Sequence, residues 1–462
     1  MTQHTLTRRE FLKRTMAATG LLALPASGLL TSCAGTNQLN VAHIGIGHRG
    51  WFAVSNCMQT ENIVALCDVD TRMAQETIGR AAKEATDNPD QNLPDLSQVP
   101  LFSDYREMLD KMGDRIDAVT VSTPDHSHFP ATMDVMKHGK AVYTEKPLTH
   151  TVAEARALRD AAKKYGVVTQ MGNQGHATEG IRLIKEWTQA GVLGEVRHIR
   201  SWAPILGGVY FTWPEQLPPP TEPPPANVDW NLWLGPADQR QYSPLYLPRK
   251  WRGWWDFGSG MLGDWACHTL DGPFWALNLG APESVEAETA PRNEYICPKW
   301  SKVTWHFPAR GDMPPVTMEW LEGEEVKPEP PARWDSDREI PDRALVMIGD
   351  KATLYTGGRP DSPRILPNSD FEKLKQNPPA KTIPRVEGGP VQEWLRAVKG
   401  DGPMPGSSFE YSARLTQMVL LGVVAQKTGQ RIEWDDEQGE ITNHPDLNKY
   451  IRIHARNGWT MV

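Results

Sequence analysis

The chain has 462 residues, which is enough for two or three domains, and a formal net charge of -8 without a long basic run. This charge distribution argues against nucleic-acid binding, which needs a clustered positive face for the phosphates. The 18 tryptophans and 39 prolines suggest long ordered loops and a cleft whose flat apolar faces suit sugar rings, although a core role stays open for each single tryptophan.

The first 33 residues have the features of an export signal. Residues 7–13 read Thr-Arg-Arg-Glu-Phe-Leu-Lys and resemble the twin-arginine consensus at every position. An uncharged stretch rich in Ala, Leu and Gly follows, and it ends in a Leu-Thr-Ser-Cys run that resembles a lipoprotein box. The resemblance implies lipid attachment at Cys33 and a place on the periplasmic face of a bacterial membrane. A soluble periplasmic protein is the alternative.

Apolar strands alternate with helical stretches in the next part of the chain, residues 38–174. This alternation predicts right-handed crossovers and a Rossmann-type parallel sheet. Thr151 and Glu154 form a capping box before the fifth helix, which ends at Gly166. Strands are expected at 40–46, 63–67, 116–121, 141–144 and 167–171, and helices at 51–58, 72–83, 105–112, 129–137 and 152–165.

The pattern changes in residues 175–462. After a helix at 180–189, runs with a period of two indicate strands that pack one face on a core. They predict an α+β domain with a large, mostly antiparallel sheet, which would bind the substrate. The strands are expected at 195–202, 303–307, 316–320 and 345–355, and two late apolar helices, 391–398 and 409–426, are expected to pack back on the first domain.

A glycine-rich turn joins the first predicted strand to the first helix. Its sequence fits the GxGxxG fingerprint of dinucleotide-binding folds, in which the pyrophosphate lies at the helix N-terminus. Asp68 ends the next strand, where a carboxylate binds the ribose hydroxyls and repels a 2′-phosphate, so NAD is favoured over NADP. Arg72, one turn further on, weakens that preference. The predicted cofactor residues here are Gly45, Gly47, His48, Arg49, Gly50 and Asp68.

Two further motifs follow the ends of predicted strands. One is Ser-Thr-Pro-Asp-His-Ser-His at 122–128, and the other is Glu-Lys-Pro at 145–147. With the glycine-rich turn they resemble the Gfo/Idh/MocA oxidoreductases, from about residue 38 to the C-terminus. The resemblance implies that Lys146 meets the substrate beside the nicotinamide, and that the Lys146–Pro147 bond is cis. It adds Thr123, Pro124, His126, His128, Glu145 and Lys146 to the expected cofactor site.

The second half of the expected site comes from the second domain. Asp264 and His268 are four residues apart and share a helix face. Taken alone they could be a surface pair, but the family places an Asp-x-x-x-His pair against the lysine of the Glu-Lys-Pro motif. A base must take the hydroxyl proton as hydride leaves carbon, which suits His268. Lys146, Asp264 and His268 are therefore the predicted catalytic residues, with Asn173, Gln174, His176, Arg252 and Trp254 lining the sugar pocket.

These motifs predict hydride transfer between tightly held NAD and a hydroxyl-bearing carbon of a sugar or sugar derivative. The alternative is a redox-neutral glycosidase or lyase. Such an enzyme transiently oxidises a glycoside, breaks a bond by elimination and then reduces the sugar again. The chain lacks the Gly-Gly-His-Gly-Gly loop of the N-acetylgalactosaminidase members, which counts against that specific activity. A non-catalytic, NAD-retaining binding protein is a weaker alternative. No cysteine pattern suggests a metal site, and the apolar surroundings of Cys57 and Cys67 predict buried thiols there. The family resemblance implies a homo-oligomer.

Overall fold

The computed structural model describes residues 38–326 and 328–459. The predicted signal at 1–33, with Cys33, lies outside the described residues. Within these two ranges no helix is both long enough and apolar enough to cross a membrane. The four cysteines they contain, Cys57, Cys67, Cys267 and Cys297, are buried free thiols, which confirms the prediction for Cys57 and Cys67.

The first sheet has six parallel strands in the order β3-β2-β1-β4-β5-β6. Helices cover both faces of such a sheet, so its central strands are apolar at consecutive positions. In β4, for example, all four residues are buried. The predicted Rossmann-type sheet is confirmed. Its strands are β1 (Asn40–Ile44), β2 (Asn62–Cys67), β3 (Leu101–Phe102), β4 (Ala118–Val121), β5 (Ala141–Thr144) and β6 (Thr169–Met171).

The connecting helices begin and end largely where the local signals predict. Thr151 and Glu154 form the capping box, and Gly166 ends that helix with φ of 63°. The fourth helix begins at Asp125, four residues earlier than predicted, because Pro124 is extended and precedes the first helical residue. The helices are α1 (Gly50–Cys57), α2 (Thr71–Asp87), α3 (Tyr105–Met112), α4 (Asp125–Lys137) and α5 (Val152–Tyr165).

The second sheet has nine strands in the order β13-β12-β11-β7-β10-β9-β8-β14-β15. Only β7 and β10 pair in parallel among its described strands, which confirms the mostly antiparallel sheet. The strands are β7 (Val196–Ala203), β8 (Ser284–Thr289), β9 (Ser301–Phe307), β10 (Val316–Glu322), β11 (Ala344–Gly349), β12 (Thr353–Gly357), β13 (Arg364–Leu366), β14 (Ile432–Asp435) and β15 (Glu440–Ile441).

The single strand predicted at 345–355 is wrong. It is a hairpin of β11 and β12, in which the Gly349 amide donates to the carbonyl of Ala352 at 3.0 Å. The alternating pattern runs on through the turn and therefore hides it. A Cβ at Gly349 would lie 2.0 Å from the carbonyl oxygen of Leu193, so the close approach of another backbone segment requires glycine there.

Seven further α-helices lie in the described second half of the chain. They are α6 (Glu179–Gln189), α7 (Trp230–Leu234), α8 (Gly260–Thr269), α9 (Asp271–Ala276), α10 (Asn368–Gln376), α11 (Gly389–Lys399) and α12 (Phe409–Thr428). The boundary between the two predicted domains, between residues 174 and 175, stays a prediction.

Helices α11 and α12 return to the first sheet. The Trp394 ring of α11 meets the Tyr143 ring of β5 edge-on at 5.8 Å. At the start of α12 the Phe409 amide donates to Thr169 Oγ1 of β6 at 3.0 Å. Further along, the carbonyl of Met418 accepts from Nε1 of Trp305, in β9 of the second sheet, at 2.9 Å. The same long helix therefore completes the apolar core beside both sheets.

Candidate active site

A cavity of about 580 Å³ lies where the carboxyl ends of the first sheet face α8 and the loops of the second half. This volume is in the range of small-molecule sites. Most of the predicted site residues line this cavity. They are Gly45, Gly47, His48, Arg49, Asp68, Thr123, Pro124, His128, Glu145, Lys146, Gln174, Arg252, Asp264 and His268. Within the described ranges no cluster of three or more His, Cys, Asp or Glu side chains is arranged to hold a metal ion.

The glycine-rich turn requires glycine for steric reasons. Gly45 has φ of +73°, and a Cβ there would lie 2.8 Å from the carbonyl carbon of Ser122. A Cβ at Gly50 would lie 2.0 Å from the carbonyl oxygen of Gly45. Gly50 does not line the cavity, so its contribution is to let the turn close. The turn places the N-terminus of α1 at the cavity, where backbone N–H groups suit a phosphate.

Asp68 lies at the end of β2 and supports this turn. Its Oδ2 accepts from the amides of Ile46 at 3.0 Å and Gly47 at 3.3 Å, and its Oδ1 accepts from the Asp70 amide at 2.9 Å. Burial raises the pKa of Asp68 to about 6, although these three hydrogen bonds act in the opposite direction. The carboxylate still lines the cavity, where its remaining lone pairs can accept from ribose hydroxyls.

Arg72 does not turn toward the cavity. Its guanidinium pairs with Asp70, with Nη2 and Oδ2 2.8 Å apart. Its charge is therefore already neutralised, and it offers no free cation for a 2′-phosphate. This arrangement favours NAD over NADP.

Several buried polar atoms around the cavity have no hydrogen-bond partner among the described residues. They are Nε2 of His48, Oγ of Ser122, Oγ1 of Thr123, Oε2 of Glu145, Oε1 of Gln174 and Nδ1 of His268. Buried polar groups in folded proteins are almost always paired. These atoms therefore fit a polar ligand such as a dinucleotide with a sugar beside it.

Lys146 and Asp264 form an ion pair across the two halves of the cavity. Lys146 follows β5, and its Nζ lies 2.8 Å from Oδ1 and 2.5 Å from the carbonyl oxygen of Asp264. Arg252 Nε reaches the same Oδ1 at 3.1 Å. Burial alone would raise the pKa of Asp264, but the charges of Lys146 and Arg252 outweigh it and hold that pKa below its ordinary value. The Lys146–Pro147 bond is cis, as the resemblance implied.

His268 lies one helical turn beyond Asp264 and is 2 % exposed. Burial, and then the charges of Lys146 and Arg359, lower the pKa of His268 well below its ordinary value. The imidazole is therefore neutral at neutral pH. Because it lines the cavity and Nδ1 has no partner, it can accept a proton from a bound hydroxyl.

Asp125 is a cavity residue that the sequence analysis missed. It is the first residue of α4, and its Oδ2 accepts from the Ser259 amide at 3.1 Å and hydroxyl at 2.9 Å. Burial, and then the nearby charge of Asp264, raise the pKa of Asp125 to about 7. Its place directly after Pro124, at a helix N-terminus beside the cofactor motif, was the available signal.

His128 lines the cavity but uses both ring nitrogens elsewhere. Nδ1 lies 2.7 Å from the carbonyl oxygen of Pro147 and Nε2 lies 2.8 Å from that of Thr123. Its contacts therefore hold the segment that carries Lys146. His126 does not line the cavity, because its nitrogens meet the carbonyl oxygens of Phe257 and Trp233 at 3.2 and 3.0 Å.

Three residues predicted to line the sugar pocket do not reach it. Asn173 Nδ2 donates to Oδ2 of Asp271 at 2.8 Å, and His176 Nδ1 lies 2.9 Å from Oδ1 of the same carboxylate. Both are fully buried behind α8. Trp254 is also buried, and its Nε1 donates to the carbonyl of Leu245 at 3.0 Å. These hydrogen bonds are made inside the protein, although Nε2 of His176 has no partner among the described residues. The three residues therefore support the site from behind.

The fold and this cavity define a two-part dehydrogenase-type protein with a dinucleotide site beside a polar pocket. Residues 39–173 match the model for the NAD-binding Rossmann fold of the Gfo/Idh/MocA oxidoreductase family, and residues 180–320 match the α/β C-terminal domain of that family. Together the matches cover more than half of the chain. The chain belongs to the Gfo/Idh/MocA family, and NAD is its cofactor.

The chain is similar to curated relatives over part of its length. It is 29% identical over 183 residues to a levoglucosan dehydrogenase from Pseudarthrobacter phenanthrenivorans (38% of each chain). It is 32% identical over 171 residues to "Glycosyl hydrolase family 109 protein 1" from Shewanella sp. strain MR-4 (35% of this chain, 34% of the relative). The chain spans less than half the length of the curated relatives it matches.

Solved structures share the fold over most of the chain. The WlbA dehydrogenase from Bordetella pertussis, in complex with NADH and UDP-GlcNAcA, has a TM-score of 0.56 and 17% identity, covering 86% of this chain and 99% of that one. A levoglucosan dehydrogenase in complex with NADH and levoglucosan has a TM-score of 0.54 and 17% identity, with the same coverage. At 17% sequence identity, the similarity to these two structures establishes the fold alone.

Asp68→Ala is expected to weaken NAD binding. The substitution removes the ribose acceptor and the carboxylate that holds the glycine-rich turn, so the Kd for NAD should rise roughly tenfold to a hundredfold. Equilibrium dialysis after cofactor stripping measures it. Asp110→Ala, on the exposed side of α3, is the matched control. An unchanged Kd in Asp68→Ala would rule out this role.

Asp125→Asn is expected to flatten the pH dependence of stability. The ordinary pKa is 3.8 and the folded pKa is about 7, so between these values the folded protein keeps a proton that the unfolded chain has released. Stability therefore falls as pH rises through this window. From about pH 5 to about pH 7 the wild type should lose more free energy of unfolding than the variant, by on the order of 2 kcal/mol.

Urea unfolding at the two pH values measures this difference. Asp110→Asn should follow the wild type, because its side chain is exposed. Parallel pH dependence in the wild type and Asp125→Asn would show that Asp125 titrates alike in the folded and unfolded states.

Proposed function

We propose that this protein is an NAD-dependent oxidoreductase that transfers hydride to or from a hydroxyl-bearing carbon of a sugar or sugar derivative. The observation that carries the proposal is the meeting of Lys146, Asp264 and neutral His268 on the wall of a cavity that also contains the glycine-rich turn. The similarity to a levoglucosan dehydrogenase supports a sugar substrate. Trp233, Trp251 and Trp265 add flat apolar faces to the cavity.

The side chains of this site divide the work of removing two hydrogens from an alcohol. When bound, NAD supplies the hydride acceptor. His268 accepts the hydroxyl proton, since its lowered pKa keeps the imidazole neutral. Lys146 gives two hydrogen bonds to Asp264, which leaves a third N–H to donate to the substrate oxygen as negative charge develops there. Asp264 holds this lysine in place, and Arg252 Nε donates to the same carboxylate oxygen at 3.1 Å.

A redox-neutral glycosidase is the second candidate, because relatives include an α-N-acetylgalactosaminidase from Shewanella oneidensis, 29% identical over 164 residues. In that reaction bound NAD would be the oxidant for a hydroxyl and, once reduced, would return the hydride after elimination. The same residues would move the protons, because the transient ketone acidifies a neighbouring C–H. The missing Gly-Gly-His-Gly-Gly loop makes this candidate less favoured. A purely NAD-retaining binding protein is less favoured still, since binding alone has no use for a base beside the cofactor.

Lys146→Ala and His268→Ala are each expected to abolish turnover while NAD stays bound, because neither residue belongs to the glycine-rich turn. The experiment incubates the purified holoprotein with free sugars and glycosides. It follows nicotinamide absorbance and analyses the sugars released. His138→Ala, an exposed histidine at the end of α4, is the control. Wild-type turnover in either active-site variant would refute its assigned role.

The same measurement separates the two reactions. Net reduction of the bound or added cofactor by a sugar supports the oxidoreductase. Release of a free sugar from a glycoside without net NADH would instead establish the glycosidase. The implied homo-oligomer is a separate proposal, which light scattering on the purified protein tests.

We also propose that the protein is exported folded by the twin-arginine route and anchored through lipid on Cys33. The motifs at 7–13 and at Cys33 support this. Folded export allows NAD to be loaded in the cytoplasm and held tightly. Cys33→Ser is expected to move the protein from the membrane to the soluble periplasmic fraction. Equal membrane association of the variant would count against the anchor, and Cys57→Ser is the matched cysteine control.

A further inference from the structure

Two arginines at the cavity wall form no ion pair with any described residue. Arg343 precedes β11 and Arg359 follows β12, at the end of the hairpin where Ala344 pairs with Gly357. Both line the cavity. Among the described residues neither guanidinium makes an ion pair or a side-chain hydrogen bond, and Nε of Arg343 is buried without a partner.

Both arginines lie against the ring of Trp265, on the same helix as Asp264 and His268. The guanidinium carbons of Arg343 and Arg359 are 3.8 and 5.4 Å from the ring centroid. The Trp265 ring is in turn 5.5 Å from the His268 ring, and its Nε1 also lacks a partner. The arginine pair is therefore next to the groups proposed to act on the substrate hydroxyl.

The loop that carries Arg359 is held in place by neighbouring elements. Thr269 Oγ1 donates to the carbonyl of Gly358 at 2.6 Å, and Thr178 Oγ1 reaches the carbonyl of Pro360 at 3.3 Å. A Cβ at Gly180 would lie 2.1 Å from that same carbonyl oxygen. The positions of the two guanidiniums are thus built into the fold, at the cost of mutual repulsion between like charges.

The other cations of the cavity are differently placed. Arg80 and Arg249 also line it, and Arg249 Nη2 lies 2.9 Å from Nδ1 of His48 in the glycine-rich turn. The remaining cations contact carboxylates. Arg49 pairs with Glu145 at 2.9 Å, and Lys146 and Arg252 share Asp264. Burial, and then the charge of Arg359, lower the pKa of Arg343. The charges of Asp264 and Asp342 act in the opposite direction but do not outweigh them.

We propose that the substrate sugar carries an anionic substituent, a carboxylate or a phosphate, which Arg343 and Arg359 bind beside the reacting hydroxyl. The proposal rests on the proposed function and names its substrate class. Arginine presents paired N–H donors that match the oxygens of either group. The cofactor's own phosphates do not account for the pair, because they belong at the N-terminus of α1, in the other half of the cavity.

The test uses the NAD-loaded holoprotein and matched sets of gluco, galacto and manno sugars, each as uronate, 6-phosphate and neutral sugar. It measures KM and the rate of nicotinamide reduction. We expect an acidic member to have the lowest KM, and higher salt to raise that KM by screening. Arg343→Gln and Arg359→Gln should each raise it roughly tenfold to a hundredfold. The Kd for NAD should be unchanged.

Two further variants distinguish a loss of substrate binding from a loss of the folded structure. Arg343→Lys and Arg359→Lys keep the charge and should recover part of the lost affinity. Arg364→Gln is the matched control, since this arginine is exposed, is stacked on Phe371 at 5.7 Å and lies away from the cavity. It should leave KM unchanged.

The uronate and 6-phosphate arms identify which anion is bound. A neutral sugar that reduces the cofactor with an equal or lower KM, or a double Arg→Gln variant with wild-type KM for the acidic sugar, overturns this inference and leaves the proposed function standing. Failure of every sugar to change nicotinamide absorbance overturns both.

Discussion

The ion pair between Lys146 and Asp264 is the contact on which the site depends. It joins a residue that follows the last-but-one strand of the first sheet to a helix that belongs to the second half. Both side chains are mostly buried, with 11% and 19% of their surface exposed. Burying a charge without a partner is costly. The pairing that holds the two halves together is therefore also the one that positions a donor at the reaction centre.

Buried hydrogen bonds support this pair from both ends of α8. Before the helix, Ser259 donates to Asp125 at the start of α4. After it, Asp271 accepts from Asn173, His176 and Tyr411, the last at 2.6 Å. A network in which a shared carboxylate is satisfied by several donors fixes a single geometry. The catalytic face of α8 is thus oriented by hydrogen bonds at both ends of the helix.

Much of the fold and part of the site could be predicted because the signals are local. Alternating apolar strands and helices, the capping box at Thr151, the glycine-rich turn and the Glu-Lys-Pro motif are each contained within a short stretch of sequence. The hairpin of β11 and β12 was missed, because period-two alternation continues through its turn.

The rest depends on contacts between distant segments. Arg343 and Arg359 contact Trp265 only after the second sheet forms. No regular spacing in the sequence links the two arginines to this tryptophan. His126, Asn173, His176 and Trp254 have the residue types of a binding site, yet they bond to buried carbonyls and to one carboxylate instead of facing the cavity. Asp125 lies within a recognised motif, but only its burial and its contact with Ser259 distinguish it from a surface helix cap.

Helix α12 has a consequence for how the protein must be made. It fills the core beside both β6 and β9, but its residues leave the ribosome long after those of the first sheet. The nucleotide-binding strands therefore wait with an apolar face uncovered while the second half is synthesised. Such intermediates are prone to aggregate. For this chain, protection by chaperones during translation matters more than for a protein whose cofactor domain closes on its own.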